Sequence, residues 1–164
     1  MKVAAFLQLR NEEENKHLRR CLRNCSHWAD EIFIYDDNSN DDSGRVYLDY
    51  TEKDHIIFGE VRSFDMEQFH KQELLLLSQK CEPDWIVWID GDDTLDKPLT
   101  EGLRDFIEDL KYRGHDSAYL HNTNLWRSPL HRRVDTQFDL LRKVNIFENT
   151  KKFRALLSDS QCYR

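Results

Sequence analysis

Five consecutive apolar side chains, Trp85-Ile86-Val87-Trp88-Ile89, run directly into Asp90-Gly91-Asp92-Asp93. A strand that is apolar at every position has no solvent face. It must be covered on both sides, as central strands of parallel sheets are covered by crossover helices. Three carboxylates and a glycine then force the chain to the surface. The segment therefore predicts a buried central strand whose carboxyl end opens onto an acidic turn.

The remaining chain supplies partners for such a strand. Val3 to Leu9 reads as a first strand, with Asn11 as the expected N-cap of a helix and Glu12, Glu13 and Glu14 at that helix's positive end. Leu18, Cys21, Leu22 and Cys25 recur at the spacing of one helical face. Glu31 to Tyr35 reads as a second buried strand, and the following stretch from Asp36 to Gly44 has no apolar member and predicts an exposed loop. A short helix is expected over about 45–50, a third strand over His55 to Phe58, and a helix marked by Met66, Phe69, Leu74, Leu77 and Cys81 that ends before Pro83. Leu99, Leu103, Phe106, Ile107 and Leu110 predict another amphipathic helix; Ser117 to His121 and Asp139 to Phe147 predict further strands. Strand and helix alternate, which predicts a three-layer α/β/α sandwich around a mostly parallel central sheet. A chain of 164 residues suits one domain.

Charge narrows the function. Lys and Arg number 24 against 31 Asp and Glu, a net charge of −7, which argues against attachment to nucleic acid or an anionic membrane by bulk charge. No apolar run reaches the length of a transmembrane segment, and the first ten residues become charged too soon for a signal peptide, so a soluble, cytoplasmic protein is expected. The four cysteines are too few and scattered for a disulfide framework and are read as reduced thiols. His17, Cys21 and Cys25 could share one helix face, but structural zinc sites usually draw ligands from two segments.

Open α/β sheets bind ligands at the carboxyl ends of their strands. Both acidic turns lie there: Asp36 and Asp37 close one strand, and Asp90, Asp92 and Asp93 close another. Turn chemistry alone explains the first run, whereas carboxylates at i and i+2 leaving a central strand have little structural purpose. Anions brought together on one rim need a cation or hydrogen bonds to offset their repulsion, and magnesium or manganese is the simplest cation for oxygen ligands. The runs do not fit an EF-hand, since neither has the required glycine at its sixth position.

Together these features resemble family-two glycosyltransferases of GT-A fold, a Rossmann-like nucleotide-binding architecture. The matching features are Leu9-Arg10-Asn11-Glu12-Glu13 after the first strand, Ile34-Tyr35-Asp36-Asp37-Asn38-Ser39-Asn40-Asp41 after the second, and the Asp-X-Asp motif in Trp88-Ile89-Asp90-Gly91-Asp92. Phe69-His70-Lys71-Gln72 occupies the helix before that motif. The resemblance implies a hexosyltransferase-like enzyme that moves a sugar from a nucleotide-diphosphate sugar to an acceptor hydroxyl. It implies that Gln8, Leu9, Arg10 and Glu12 line the nucleotide pocket, that Asp36 or Asp37 accepts a hydrogen bond from the base, and that Asp90 sits near ribose and metal. Asp92 would bind a divalent metal, Mn2+ or Mg2+, and His70 or Lys71 would stand on the sugar-diphosphate side. Residues 1–110 would then form the nucleotide-sugar part and 111–164 an acceptor-side part, continued beyond Arg164 if acceptor-binding chain is missing.

The pattern is incomplete. No Glu-Asp pair of the kind expected for a general base stands after residue 110, leaving Asp135, Asp139, Glu148, Asp159, His121 and His131 as undistinguished candidates. The Gln-X-X-Arg-Trp motif of processive members is absent too, and Trp126-Arg127 and the basic stretch Leu130 to Asp135 could serve the acceptor side. Two other readings stand beside this one. Ile89-Asp90-Gly91-Asp92-Asp93-Thr94-Leu95 is similar to the first motif of haloacid-dehalogenase-type phosphatases, with Asp90 as nucleophile, although that strand normally comes first and a later Lys and acidic pair are needed. A non-catalytic nucleotide-sugar binder is the other.

Overall fold

Val3–Leu9 is apolar except at Gln8 and forms strand β1, whose side chains alternate between two buried faces. The computed structural model describes residues 1–63, 66–121, 123 and 143–150. After β1 come α1 (Leu18–Trp28), β2 (Glu31–Asp36), α2 (Ser43–Tyr47), a 3-10 turn (Lys53–His55), β3 (Ile56–Phe58), α3 (Glu67–Ser78), β4 (Trp85–Trp88), α4 (Lys97–Tyr112), β5 (Ser117–Leu120) and β6 (Lys143–Glu148).

The six strands form one sheet in the order β3-β2-β1-β4-β6-β5. Parallel pairing joins β1 to β2 and β4, and β2 to β3, while β6 runs antiparallel to both β4 and β5. The expected three layers are present, with this antiparallel strand as the departure from a parallel sheet. On one face Val3, Ala5, Leu7 and Leu9 pack with Leu18, Cys21, Leu22 and Cys25 of α1 and Leu103, Ile107 and Leu110 of α4. On the other face Ala4 and Phe6 meet Leu74 and Leu75 of α3, together with Phe33, Tyr35, Ile86, Trp88 and Phe147. The doubly buried pattern of β4 is thereby satisfied.

Helix starts depart from expectation in an informative way. Asn11 does not cap α1. Its backbone is left-handed, with φ of 53°, and its amide pairs with Asn40 instead, so the helix begins at Leu18. The acidic triplet Glu12-Glu13-Glu14 lies in the turn before α1. By contrast α4 is capped as its sequence requires, Asp96 accepting from Leu99 N at 3.0 Å with Pro98 in the first turn. Helix α2 starts two residues earlier than the expected 45–50, and the last strand starts at Lys143 among the described residues.

Strand order runs outward from β1 to β3 and then returns to the opposite side of β1 with β4. Ligands of open α/β sheets bind beside such a reversal, at the carboxyl ends of the strands. The ends of β1, β2 and β4 gather there with both acidic turns. Among the described residues no helix is long and apolar enough to cross a membrane.

Among the described residues, α3 is the one helix covering its face of the sheet. Leu74→Ala, at a fully buried position, is expected to cost about 2–5 kcal/mol, whereas Leu76→Ala, at a position 57% exposed, should stay within about 0.5 kcal/mol. Urea unfolding of the two variants checks which face of α3 meets the sheet.

Candidate functional site

The turns after β1 and β2 are joined to each other before either meets a ligand. Arg10 Nη1 donates to the carbonyls of Asp37 at 2.6 Å and Asn38 at 2.9 Å. Asn11 donates to Asn40 Oδ1 at 2.7 Å and accepts from Asn40 N at 2.9 Å, an amide pair that works like two backbone groups. Ser39 Oγ, Asp41 and Ser43 Oγ accept from the backbone N–H groups of Asn11, Glu14 and Glu13. The polar run from Asp36 to Gly44 is therefore a pairing surface for the first turn.

Its two leading carboxylates have separate fates. Asp36 is 2% exposed, with Oδ1 accepting from Ser39 N at 2.6 Å and Oδ2 from the Tyr47 hydroxyl at 2.7 Å. Burial and the adjacent Asp36 charge push the Tyr47 phenol far up, so it stays a donor. Asp37 is fully buried, and its Oδ1 accepts from Ser63 N at 2.7 Å and Ser63 Oγ at 3.3 Å. Its Oδ2 is buried, with no hydrogen-bond partner among the described residues. A buried carboxylate oxygen left without a donor is costly, and it marks a position where a donor belongs.

Behind Asp37 runs a directional chain. The Gln8 amide N–H donates to His70 Nδ1 at 2.8 Å, which leaves the proton on Nε2 to donate to Ser63 Oγ, also at 2.8 Å. Ser63 passes its own proton toward Asp37. Burial pulls the His70 pKa down despite the nearby Asp37 and Glu67 charges, so the ring is neutral, as the chain requires. Its face stacks on Tyr35 with centroids 3.9 Å apart. The adjacent Lys71 is also buried, paired with Glu67 and placed 4.7 Å from the centroid of Trp88.

The Asp-X-Asp turn is fixed by α1. Arg20 Nη2 donates to the Asp92 carbonyl at 2.8 Å, Cys21 Sγ to the Asp90 carbonyl at 3.6 Å, and Asn24 brackets Leu95 by accepting from its N–H at 2.9 Å and donating to its carbonyl at 3.0 Å. Gly91 allows the turn to close on β1: a Cβ there would collide with Leu9 Cδ2 and lie 2.9 Å from Glu12 Cγ. Glu12 thus stands beside Asp92, and burial followed by the Asp92 charge raises its carboxyl pKa.

Gln8, Arg10, Glu12, Asp37, Asp90 and Asp92 consequently share one rim. Leu9 lies in the core, where its side chain packs beside Gly91. The two acidic turns do not face each other as one anionic cluster, because Asp36 and Asp37 are each held by donors of their own. The residues suit a hard divalent cation, since Glu12, Asp90 and Asp92 offer only oxygen and a cation would relieve the repulsion between Glu12 and Asp92. Among the described residues the one group of three ligand-bearing side chains within 4.8 Å is Glu31, His55 and Cys81, at the opposite end of the sheet. Cys21 and Cys25 are core residues, and the Cys25 thiol pKa is raised by its hydrogen bond to Cys21 and by burial.

Of the general-base candidates, Glu148 pairs with Trp85 at the amino end of β4 and so faces away from the rim, whereas His121 follows β5 at the carboxyl end. Asp135, Asp139, Asp159 and His131, with Trp126, Arg127 and 130–134, lie outside the described residues. Ser63 and Asn24 are not marked by any motif in the sequence. Ser63 sits in an unpatterned stretch with no signal, but Asn24 lies beside the apolar stripe of α1, where a short amide is a usable sign of a loop contact.

The model of the family described as Glycosyl transferase family 2 matches residues 9–161. No curated protein matches the sequence. Among solved structures, S. aureus TarS 1–349 superposes with a TM-score of 0.60 at 17% identity, over 97% of this chain and 49% of that one. The same protein in complex with UDP gives 0.58 at 16% identity over 97% and 48%, and in complex with UDP-GlcNAc 0.56 at 17% over 78% and 36%. This is a likeness of fold, and the chain spans less than half the length of each of these structures.

Two outcomes test the rim as built. Asn24→Ala strips the bracket from partly buried Leu95 backbone groups and should cost about 1–3 kcal/mol in chemical denaturation. Glu12 has a raised folded pKa, so its favourable contribution is complete below the unfolded carboxylate value of about 4.3 and is lost as pH rises through the folded value. Glu12→Gln should therefore raise the melting temperature at pH 7 and give no gain near pH 4, as melting curves across that range would show.

Proposed function

The chain belongs to glycosyl transferase family 2, and from that premise we propose that it transfers a sugar from a uridine-diphosphate sugar to an acceptor hydroxyl. The observation that carries the choice of donor is the buried Oδ2 of Asp37, which has no hydrogen-bond partner among the described residues. Uracil presents one N–H on its pairing edge between two carbonyls, and a fixed carboxylate oxygen is its complement. The UDP and UDP-GlcNAc complexes of a protein sharing the fold support the same base. Gln8, His70 and Ser63 act as positioning residues, since their chain directs Asp37 Oδ1 toward Ser63 and leaves Oδ2 for the base.

In the transfer, the bond from the anomeric carbon to the phosphate oxygen breaks and its electron pair departs with the nucleoside diphosphate. The acceptor oxygen forms the new bond and gives up its proton. Asp90 and Asp92 would hold a divalent cation, manganese or magnesium, which when bound neutralises the charge growing on the leaving diphosphate. Glu12 adds negative charge to that site from β1's turn, and Arg20, Cys21 and Asn24 keep the Asp90–Leu95 turn in place for it. Buried Lys71 supplies positive charge from α3, beside Trp88 at the end of β4. The phosphatase reading, with Asp90 as nucleophile, gives way to the family assignment.

Thermal shift with the diphosphates of uridine, guanosine, adenosine and cytidine, each with and without manganese, tests this reading. A ligand at about 100 times its Kd adds roughly 2.7 kcal/mol. UDP with manganese is expected to raise the melting temperature most, Asp37→Asn to remove the preference for uridine, and Asp92→Asn to abolish the shift that needs manganese. Equal responses to all four bases would refute the role of Asp37, and no response to any would refute the donor site. UDP-sugar turnover then separates a transferase from a binder.

A further inference from the structure

Three residues of unlike chemistry meet at the amino-terminal end of the sheet, away from the donor rim. Glu31 opens β2, His55 immediately precedes β3, and Cys81 follows α3 in the turn before β4. A Glu31 carboxylate oxygen, a ring nitrogen of His55 and Cys81 Sγ all lie within 4.8 Å of one another. Cys81 Sγ stands 3.6 Å from His55 Nε2. With bond lengths of about 2.3 Å to sulfur and 2.0–2.1 Å to nitrogen, two ligands of one tetrahedral zinc stand about 3.6 Å apart. Lys2 Nζ takes Glu31 Oε1 at 3.1 Å and leaves Oε2 on the side of His55.

The other ring nitrogen faces the carboxylate. His55 Nδ1 is buried, stands 3.4 Å from Glu31 Oε2 and makes no hydrogen bond among the described residues. The ring rests against Phe33 with centroids 4.5 Å apart, and the side chain is 12% exposed. With Nδ1 turned to Glu31, Nε2 is the nitrogen left to share a metal with Cys81.

We propose that Glu31, His55 and Cys81 form a binding site for one zinc ion, His55 binding through Nε2 and water completing four-coordination. Thiolate, imidazole and carboxylate from separate segments are zinc's ligand set, and sulfur sets the site apart from the oxygen-only rim. Binding replaces the thiol proton, which leaves to solvent, by a zinc–sulfur bond. The ion would tie the starts of β2 and β3 to the end of α3. It has no part in the donor reading, which stands or falls separately.

The test uses the full chain carrying Cys162→Ser, so that Cys81 is the accessible thiol compared, with cobalt(II) and zinc(II) as probes. One equivalent of cobalt should give a sulfur-to-metal charge-transfer band that zinc bleaches, and zinc should slow alkylation of Cys81 by about tenfold, read by peptide mass mapping. Cys81→Ser should lose the band, His55→Ala should weaken it, and Asp92→Asn should keep it. Circular dichroism without metal establishes that each variant is folded. Absence of the band, its survival in folded Cys81→Ser, its loss in Asp92→Asn, or alkylation unchanged by zinc would each overturn the site.

Discussion

Strand β1 is hydrogen-bonded along both edges and buried on both faces, and the geometry of the rim follows from where its last residues stop. Leu9 points into the α1 side of the core while its neighbour Gln8 points to the α3 side. The first holds the Asp-X-Asp turn by packing under Gly91; the second anchors the chain of hydrogen bonds that ends at Asp37. Two consecutive residues of one strand thus position carboxylates that come from β2 and from β4. This follows from the alternation of a pleated strand, since adjacent side chains must leave on opposite faces.

The parts of the fold that are legible in the sequence are those where burial outweighs every other influence. Continuous apolar runs mark β1, β2 and β4, and the stripe Leu18, Cys21, Leu22, Cys25 marks α1, because a doubly covered strand and a singly covered helix impose different periods. The Asn11 cap fails for a physical reason. Its side chain can satisfy either a helix end or the Asn40 backbone and amide, and the long-range pair wins, which no window of local sequence registers. Ser63 is invisible because its role depends on Asp37 and His70, both distant in sequence or separated by unpatterned chain.

The site shows the same division. Which residues are acidic and which strand ends they follow can be read directly; which oxygens are available cannot. Asp36 and Asp37 are adjacent and alike in sequence, yet Asp36 is consumed by Ser39 and Tyr47 whereas Asp37 retains one oxygen without a donor among the described residues. The distinction rests on Tyr47, one helix further along, reaching back to Asp36. Hydrogen-bond saturation thus decides between two residues that charge and spacing leave equivalent.

The carboxylate excess also acquires a more specific meaning. Of the carboxylates gathered at the carboxyl ends of the strands, Asp36, Asp41 and Oδ1 of Asp37 on the β2 side accept from backbone N–H and hydroxyl donors. Repulsion persists where Glu12 approaches Asp92, and there the fold has accepted a raised pKa in exchange for bringing β1's turn against the Asp-X-Asp turn. Burial and the Asp92 charge outweigh the Asn15 hydrogen bond to Glu12, which sets this carboxylate apart from the self-satisfied Asp36.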